Sequence, residues 1–75
     1  MIPFNQKVVS QRIRYLRKDK HHLSRREFAD KAGLSLRSIE AYEQYSVCPG
    51  SFAVFAICST FNASADWLLG LSDKE

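Results

Sequence analysis

The sequence predicts an all-α protein, a compact bundle of five short helices. Four apolar segments follow an Asn or Ser that can cap a helix N-terminus, and a fifth follows Pro49-Gly50. No segment shows the strict alternation of apolar and polar residues that is typical of a half-buried strand. Because 75 residues suffice for one domain at most, we assign residues 1–75 to a single domain.

The first helix is expected over residues 6–18, with Asn5 as its N-cap. Val9, Ile13 and Leu16 recur at positions i, i+4 and i+7 and therefore form one apolar stripe along it. This stripe predicts that the first helix packs on the rest of the bundle through one side only.

The second and third helices make the most informative part of the chain. Ser24 and Glu27 have the spacing of a capping box, and Gly33 permits the left-handed conformation that ends a helix. Ser35 can cap a third helix, so residues 24–44 form two short helices joined by a tight turn. The residues expected to face inward are Phe28, Ala29, Ala32, Ile39 and Tyr42. Such a pair holds the N-terminus of its second helix out from the protein body.

Two further helices are expected after a loop at residues 45–48. The fourth covers about residues 51–61, and Ser64 caps a fifth that Gly70 ends. Residues 72–75 are expected to be a frayed tail.

Composition and charge restrict the possible functions. The longest apolar run has seven residues and no signal peptide is visible, so we expect a cytoplasmic protein with reduced cysteines. Residues 1–37 contain ten basic and three acidic residues, a formal charge of +7, whereas residues 38–75 carry −4. A basic half attracts a polyanion through counterion release, although a solvated basic surface would have the same composition.

Metal and catalytic sites find little support in the sequence. His21 and His22 are adjacent, but Cys48 and Cys58 lie ten residues apart with no second pair, so no zinc pattern is formed. There is no Gly-rich phosphate loop and no nucleophile motif. We therefore expect no metal, no cofactor and no enzymatic activity.

The ordered set of these residues resembles the phage-repressor and Cro-like helix-turn-helix DNA-binding domains, of which lambda repressor is an example. The residues that carry the resemblance are Ile13-Arg14, Leu16-Arg17, Leu23-Ser24, Phe28-Ala29, Gly33-Leu34-Ser35, Ile39, Tyr42-Glu43, Pro49, Ile57, Phe61-Asn62 and Ser64 to Gly70. The resemblance implies a five-helix domain, usually dimeric, that regulates transcription. It also implies that the third helix is the recognition helix and that the start of the second helix rests on the phosphate backbone.

Residues on the exposed side of the third helix are the candidates for base contacts. Arg37 lies two residues past the cap, where a guanidinium can bond guanine bidentately in the major groove. A phosphate contact or a solvated side chain are the alternatives for Arg37. The full set of predicted base-contacting residues is Ser35, Leu36, Arg37, Ser38 and Ala41.

Phosphate contacts are expected from cations near two helix ends. Arg25 and Arg26 lie in the first turn of the second helix, where free N–H groups already favour an anion. Arg14 and Lys18 on the first helix are assigned the same role. Glu43 matches the resemblance and is expected to bond within the domain.

Three features depart from the pattern of the resemblance. His21-His22 looks like a one-residue insertion, and the loop after the third helix lacks the usual Asn-Gly and basic residues. The fourth helix carries apolar residues that would face outward, which indicates either a dimer or partner interface or a helix buried on all sides. The residues assigned to this interface are Tyr45, Val47, Phe52 and Ala56.

The sequence therefore supports two functional hypotheses. The first is a sequence-specific regulator, a repressor of phage or mobile-element type, that binds a palindromic site in double-stranded DNA as a homodimer. The alternative is a protein-interaction module, antirepressor- or antitoxin-like, that has the same fold and does not bind DNA. Neither hypothesis involves a membrane.

Overall fold

Five α-helices build the computed structural model, which describes residues 3–75. They are α1 (Gln6–Arg14), α2 (Arg25–Ala32), α3 (Leu36–Gln44), α4 (Ser51–Phe61) and α5 (Ala65–Leu68). No strand occurs among the described residues, which confirms the all-α prediction. Within the same range, none of these helices has the length and apolar character that a membrane crossing requires.

The end of the first helix differs from the expectation. Helix α1 continues into a π-helical segment, Tyr15–Lys20, so the helical chain extends two residues past the predicted end at Lys18. The N–H of His21 donates to the carbonyl of Leu16 at 3.1 Å, an i→i−5 bond. A π-helical turn accommodates an extra residue in a helix. The apparent insertion at His21-His22 is therefore accommodated at the end of the helix, and not in the loop alone.

The core lies where α1, α2 and α3 meet, with α4 and α5 closing it from the other side. All the residues predicted to face inward are buried: Val9, Ile13, Leu16, Phe28, Ala29, Ala32, Ile39 and Tyr42. Phe28 of α2 stacks on Phe61 of α4 with ring centroids 4.2 Å apart. This contact joins the two halves of the bundle.

The C-terminal residues are anchored, which corrects the expectation of a frayed tail. The guanidinium of Arg12 donates to the carbonyl of Ser72 at 2.8 Å and also to the carbonyl of Trp67. The N–H of Ser64 donates to the carbonyl of Glu75 at 3.0 Å, and Lys20 pairs with the Glu75 carboxylate. The cations of the first helix thus hold the tail, a long-range contact that local sequence does not reveal.

Candidate nucleic-acid interface

The two helices of the predicted pair begin as expected. The Ser24 hydroxyl accepts from the N–H of Glu27 at 3.1 Å, and the Glu27 carboxylate accepts from the N–H of Ser24 at 2.9 Å. The pKa of Glu27 lies below its ordinary value, first because its carboxylate accepts the hydrogen bond from the backbone N–H of Ser24 and second because of the Ser24 side chain. Gly33 ends α2 with a φ of 71°. The capping box and the left-handed turn are confirmed.

The start of α3 faces solvent. Ser35 and Arg37 are exposed, and Leu36, Ser38 and Ala41 are partly exposed, whereas Ile39 is buried. Each of the five residues assigned to base contacts thus keeps exposed surface at the cap of α3 or along it. Their role in base contact stays a prediction.

Two of these residues already bond each other. The Ser35 hydroxyl caps α3 by accepting from the N–H of Ser38 at 3.0 Å, and the two hydroxyl oxygens lie 2.9 Å apart. A base edge would therefore compete with the cap for these hydroxyls. By contrast, Arg37 makes no hydrogen bond to another described residue in this structure, so its five N–H donors remain available.

A buried carboxylate connects the π-helical segment, α2 and α3. The Glu43 side chain is only 2% exposed and accepts two hydrogen bonds from Arg17, Nε to Oε2 at 2.8 Å and Nη2 to Oε1 at 3.0 Å. Arg17 also donates from Nη1 to the carbonyl of Leu23 at 3.0 Å. The expectation that Glu43 bonds within the domain is confirmed. Arg17 is therefore a structural residue, and its i+4 spacing from Ile13 on the apolar stripe was the signal for it.

Arg25 shares the same carboxylate. Its Nε lies 3.3 Å from Oε1 of Glu43, and its side chain is 31% exposed. The two terminal nitrogens of Arg25 make no hydrogen bond to other described residues. Because Nε is held from inside the domain, those nitrogens are left to project toward solvent at the start of α2.

The remaining predicted phosphate contacts are exposed. Arg26 lies next to Arg25 in the first turn of α2. Arg14 lies on the side of α1 that faces α3, because the Ser10 hydroxyl, four residues earlier, donates to the carbonyl of Tyr42 at 2.6 Å. Lys18 is exposed on the π-helical segment. Their contacts with phosphate remain predictions.

The structure corrects one member of the predicted interface. Tyr45, Val47 and Phe52 are exposed, but Ala56 is 6% exposed and therefore packs inside its own chain. The exposed neighbour of Phe52 on α4 is Phe55, three residues along, and both are 68% exposed. Sequence spacing at i and i+4 selected Ala56 in place of Phe55, although i+3 neighbours share a helix face equally well.

In the loop between α3 and α4, a residue other than glycine adopts the left-handed backbone conformation. Ser46 has a φ of 53°, and the N–H of Val47 donates to the carbonyl of Ala41 at 3.1 Å. The Gln6 amide donates to the carbonyl of Val47 at 3.1 Å, which ties the loop to α1.

In the described part of the chain, no group of three or more His, Cys, Asp or Glu side chains could hold a metal ion.

Comparison with known proteins agrees with this geometry. The profile of a family described as helix-turn-helix matches residues 13–68, a segment that contains α2, α3, α4 and α5 entirely. A search among curated proteins found no match. The matching family consists of DNA-binding transcription regulators and is not typically enzymatic. The match spans most of the chain, and the chain therefore belongs to the Cro/repressor-like helix-turn-helix family.

Proposed function

We propose that this protein is a sequence-specific repressor, of the type found in phages and mobile elements, that binds a palindromic operator as a homodimer. The observation that carries the proposal is the exposed start of α3, where Arg37 projects without a partner among the described residues. The N-terminal residues of a recognition helix are those that contact base edges in the major groove. A bidentate arginine–guanine contact contributes about 1–3 kcal/mol of discrimination against other bases.

The start of α2 supports the placement of α3 in the major groove. A helix N-terminus offers free N–H groups and positive potential to a phosphate, and Arg25 and Arg26 add two cations there. Glu43 holds Nε of Arg25, so less side-chain entropy is lost when its terminal nitrogens bind phosphate. Backbone contacts of this kind set the register of α3 in the groove and carry no sequence information themselves.

A homodimer would let two recognition helices read two half-sites. Two-fold symmetry in the protein requires recognition helices about one DNA turn apart, roughly 34 Å, and predicts a palindromic operator. The exposed apolar residues Tyr45, Val47 and Phe52 support an interface between chains because contiguous apolar surface commonly marks one.

A protein-interaction module without DNA binding is the second candidate function. The loop that follows α3 offers no Lys or Arg for phosphate, and α4 exposes two phenylalanines. A partner protein could cover this surface. A stoichiometric complex with another protein, and no retained DNA, would favour this alternative.

Selection of bound duplexes from a random pool tests the proposed function. We expect enrichment of a palindrome whose half-sites are centred about 10 base pairs apart or a multiple of that distance. The Arg37→Ala variant, selected from the same pool, should give a degenerate base at one position of each half-site. Failure of the unmodified protein to enrich any sequence would contradict a sequence-specific repressor.

A further inference from the structure

A pocket of mixed polarity lies where the chain that precedes α2 meets the ends of α2 and α4. Its volume is about 470 Å³, which falls within the range of small-molecule sites. The residues that line it are His21, Leu23, Lys31, Thr60 and Phe61. Three separate stretches of the chain therefore contribute to one cavity.

Phe61 and Leu23 form the apolar half of the pocket. Phe61 is buried and stacks on Phe28 in the core, and its ring centroid lies 5.1 Å from that of His21. The backbone of Leu23 is fixed, because its N–H donates to the carbonyl of Arg17 at 2.8 Å and its carbonyl accepts from Nη1 of Arg17 at 3.0 Å. The apolar walls are therefore preformed, and little conformational entropy is lost when a ligand covers them.

The polar half of the pocket consists of side chains whose donors are not yet used. His21, Lys31 and Thr60 are exposed, and their side chains make no hydrogen bond or ion pair with another described residue. The ammonium group has three N–H donors, the imidazole has at least one in either protonation state, and the hydroxyl has one. Because none of the lining residues is a carboxylate, this half of the pocket favours an anion.

Two carboxylates lie near the pocket, and both already accept hydrogen bonds. Glu27 lies one turn before Lys31 on α2 and accepts a backbone N–H in the capping box. Glu75 interacts electrostatically with His21, but its carboxylate is paired with Lys20. Since neither Glu27 nor Glu75 lines the pocket, the charge that the lining residues supply is positive.

The insertion at His21-His22 builds one wall of the pocket. The π-helical segment Tyr15–Lys20 accommodates the extra residue and ends directly before His21. His22 then adopts the left-handed conformation, with a φ of 54°. Both π-helical turns and left-handed residues other than glycine are frequent at functional sites. Here they lie on either side of His21, whose ring is placed against Phe61.

We propose that this pocket binds a small organic acid, with its carboxylate toward Lys31 and His21 and its apolar body against Leu23 and Phe61. An inorganic anion would leave the apolar walls uncovered, and a neutral apolar molecule would leave the donors without an acceptor. The inference goes beyond the proposed function and does not depend on it, because none of the lining residues is assigned to a DNA contact.

An NMR titration of the isotope-labelled full chain with benzoate tests the site. Benzoate is an aromatic carboxylate, and benzamide is its neutral analogue. We expect benzoate to shift the amide signals of the lining residues with a dissociation constant of about 1 mM or lower at low salt. Benzamide and inorganic phosphate should each bind at least about 5-fold more weakly, because each matches only one half of the pocket.

Two results of these titrations would overturn the inference. The first is the absence of saturable shifts up to roughly 10 mM benzoate, a concentration at which even weak specific binding is visible. The second is equal binding of benzoate and either comparison compound, because the carboxylate or the apolar body would then contribute nothing.

Variants of the polar half locate the bound carboxylate. Lys31→Gln should weaken benzoate binding at least about 5-fold, because it removes a charge-assisted hydrogen bond. Thr60→Val has nearly the same shape and should weaken it about 3-fold. Lys7→Gln is the matched control: it removes the same charge from an exposed residue of α1 outside the pocket, and should change the dissociation constant less than about 1.5-fold.

Circular dichroism of each variant confirms that the helices are retained. Equal effects of Lys31→Gln and Lys7→Gln would contradict the assigned site. Should Lys31→Gln fail to fold, Thr60→Val decides the outcome, because it changes no charge and an unaltered dissociation constant would contradict the site equally.

A DNA phosphate is the other source of an anion at this pocket, and competition separates the two. Saturating duplex should leave benzoate bound, and Lys31→Gln should lower duplex affinity no more than Lys7→Gln does. Displacement of benzoate by the duplex, or a loss of duplex affinity in Lys31→Gln as large as that in Arg25→Ala, would assign the pocket to phosphate and overturn the inference. A chain that binds benzoate and no duplex would refute the proposed repressor and leave the organic-acid site standing.

Discussion

Arg17 and Glu43 form a bidentate ion pair between the end of the first helix and the end of α3. The Nε–Oε2 and Nη2–Oε1 distances are 2.8 and 3.0 Å, and the two side chains are 10% and 2% exposed. The same carboxylate accepts from Arg25 at the start of α2. One buried acid therefore fixes how the two helices of the candidate interface lie relative to the first helix.

Removal of this acid alone should be strongly destabilising. Glu43→Leu leaves Arg17 buried and unpaired, and we expect it to lower the free energy of unfolding by about 3–5 kcal/mol, measured by urea denaturation. The double variant Arg17→Met, Glu43→Leu should recover most of this loss, because no charge is then left buried. A single variant that loses less than about 1 kcal/mol would show that the pair is not structurally important.

Arg37 and Arg25 should differ in what they contribute to DNA binding. Arg37→Ala should cost about 1–3 kcal/mol on the preferred duplex and much less on random duplexes. Arg25→Ala should weaken both kinds of duplex alike and reduce the salt slope by about one. Titrations of each variant against both duplexes check this division.

Lys74→Ala is a suitable control for these variants. It removes one positive charge from an exposed residue outside α2 and α3 and should leave duplex affinity nearly unchanged. Equal losses on preferred and random duplexes from both Arg37→Ala and Arg25→Ala would refute the assignment of separate roles.

The capping box of α2 should make stability depend on pH in the acid range. The pKa of Glu27 is lowered from its usual 4.5 in the folded protein, mainly by the N–H of Ser24. Its contribution to stability is therefore fully present above the unfolded pKa and is lost as pH falls through the lower folded pKa. The urea midpoint of the wild type should therefore be lower below pH 4.5 than above it. Glu27→Gln should make this difference smaller.

A carboxyl titration followed by NMR tests the cause of this shift. In Ser24→Ala the hydroxyl, which is the second cause of the lowered pKa, is lost while the N–H of residue 24 remains. The pKa of Glu27 should therefore rise only part of the way toward its ordinary value, since the backbone bond is the larger cause. A full return of the Glu27 pKa to its ordinary value would mean that the Ser24 hydroxyl is required for both hydrogen bonds of the capping box.

Arg12 should control the C-terminal segment. Its guanidinium bonds the carbonyls of Trp67 and Ser72 and lies 5.1 Å from the Trp67 ring centroid. Arg12→Ala should destabilise the fold by about 1.5–3 kcal/mol and red-shift the fluorescence of the buried Trp67. Lys7→Ala, an exposed change on the same helix, should do neither.

Local chemistry explains which parts of the fold were predictable. The caps at Ser24 and Ser35 and the left-handed turn at Gly33 depend on residues within a few positions of each other. The apolar stripe of Val9, Ile13 and Leu16 likewise follows from helical period alone. These signals located the helix pair and its exposed start, and the family match over residues 13–68 agrees with them.

The parts that were missed depend on contacts distant in sequence. Arg17 is buried while Arg14 is exposed, a difference set by where Glu43 lies. The C-terminal residues are anchored because Arg12 donates a hydrogen bond to Ser72 and Lys20 pairs with Glu75, and both cations are distant from them in sequence. Ala56 and Phe55 could be told apart only once the direction of α4 against the core was known.

The most direct measurement is fluorescence anisotropy of a labelled duplex, titrated with the protein at several salt concentrations. If the start of α3 and the cations of α2 lie on DNA, affinity should fall steeply with salt, with a log–log slope of about −0.9 for each phosphate neutralised. Four predicted phosphate contacts per copy give a slope of about −3.6 for each copy bound. No binding at low salt, or an affinity that does not change with salt, would contradict the account.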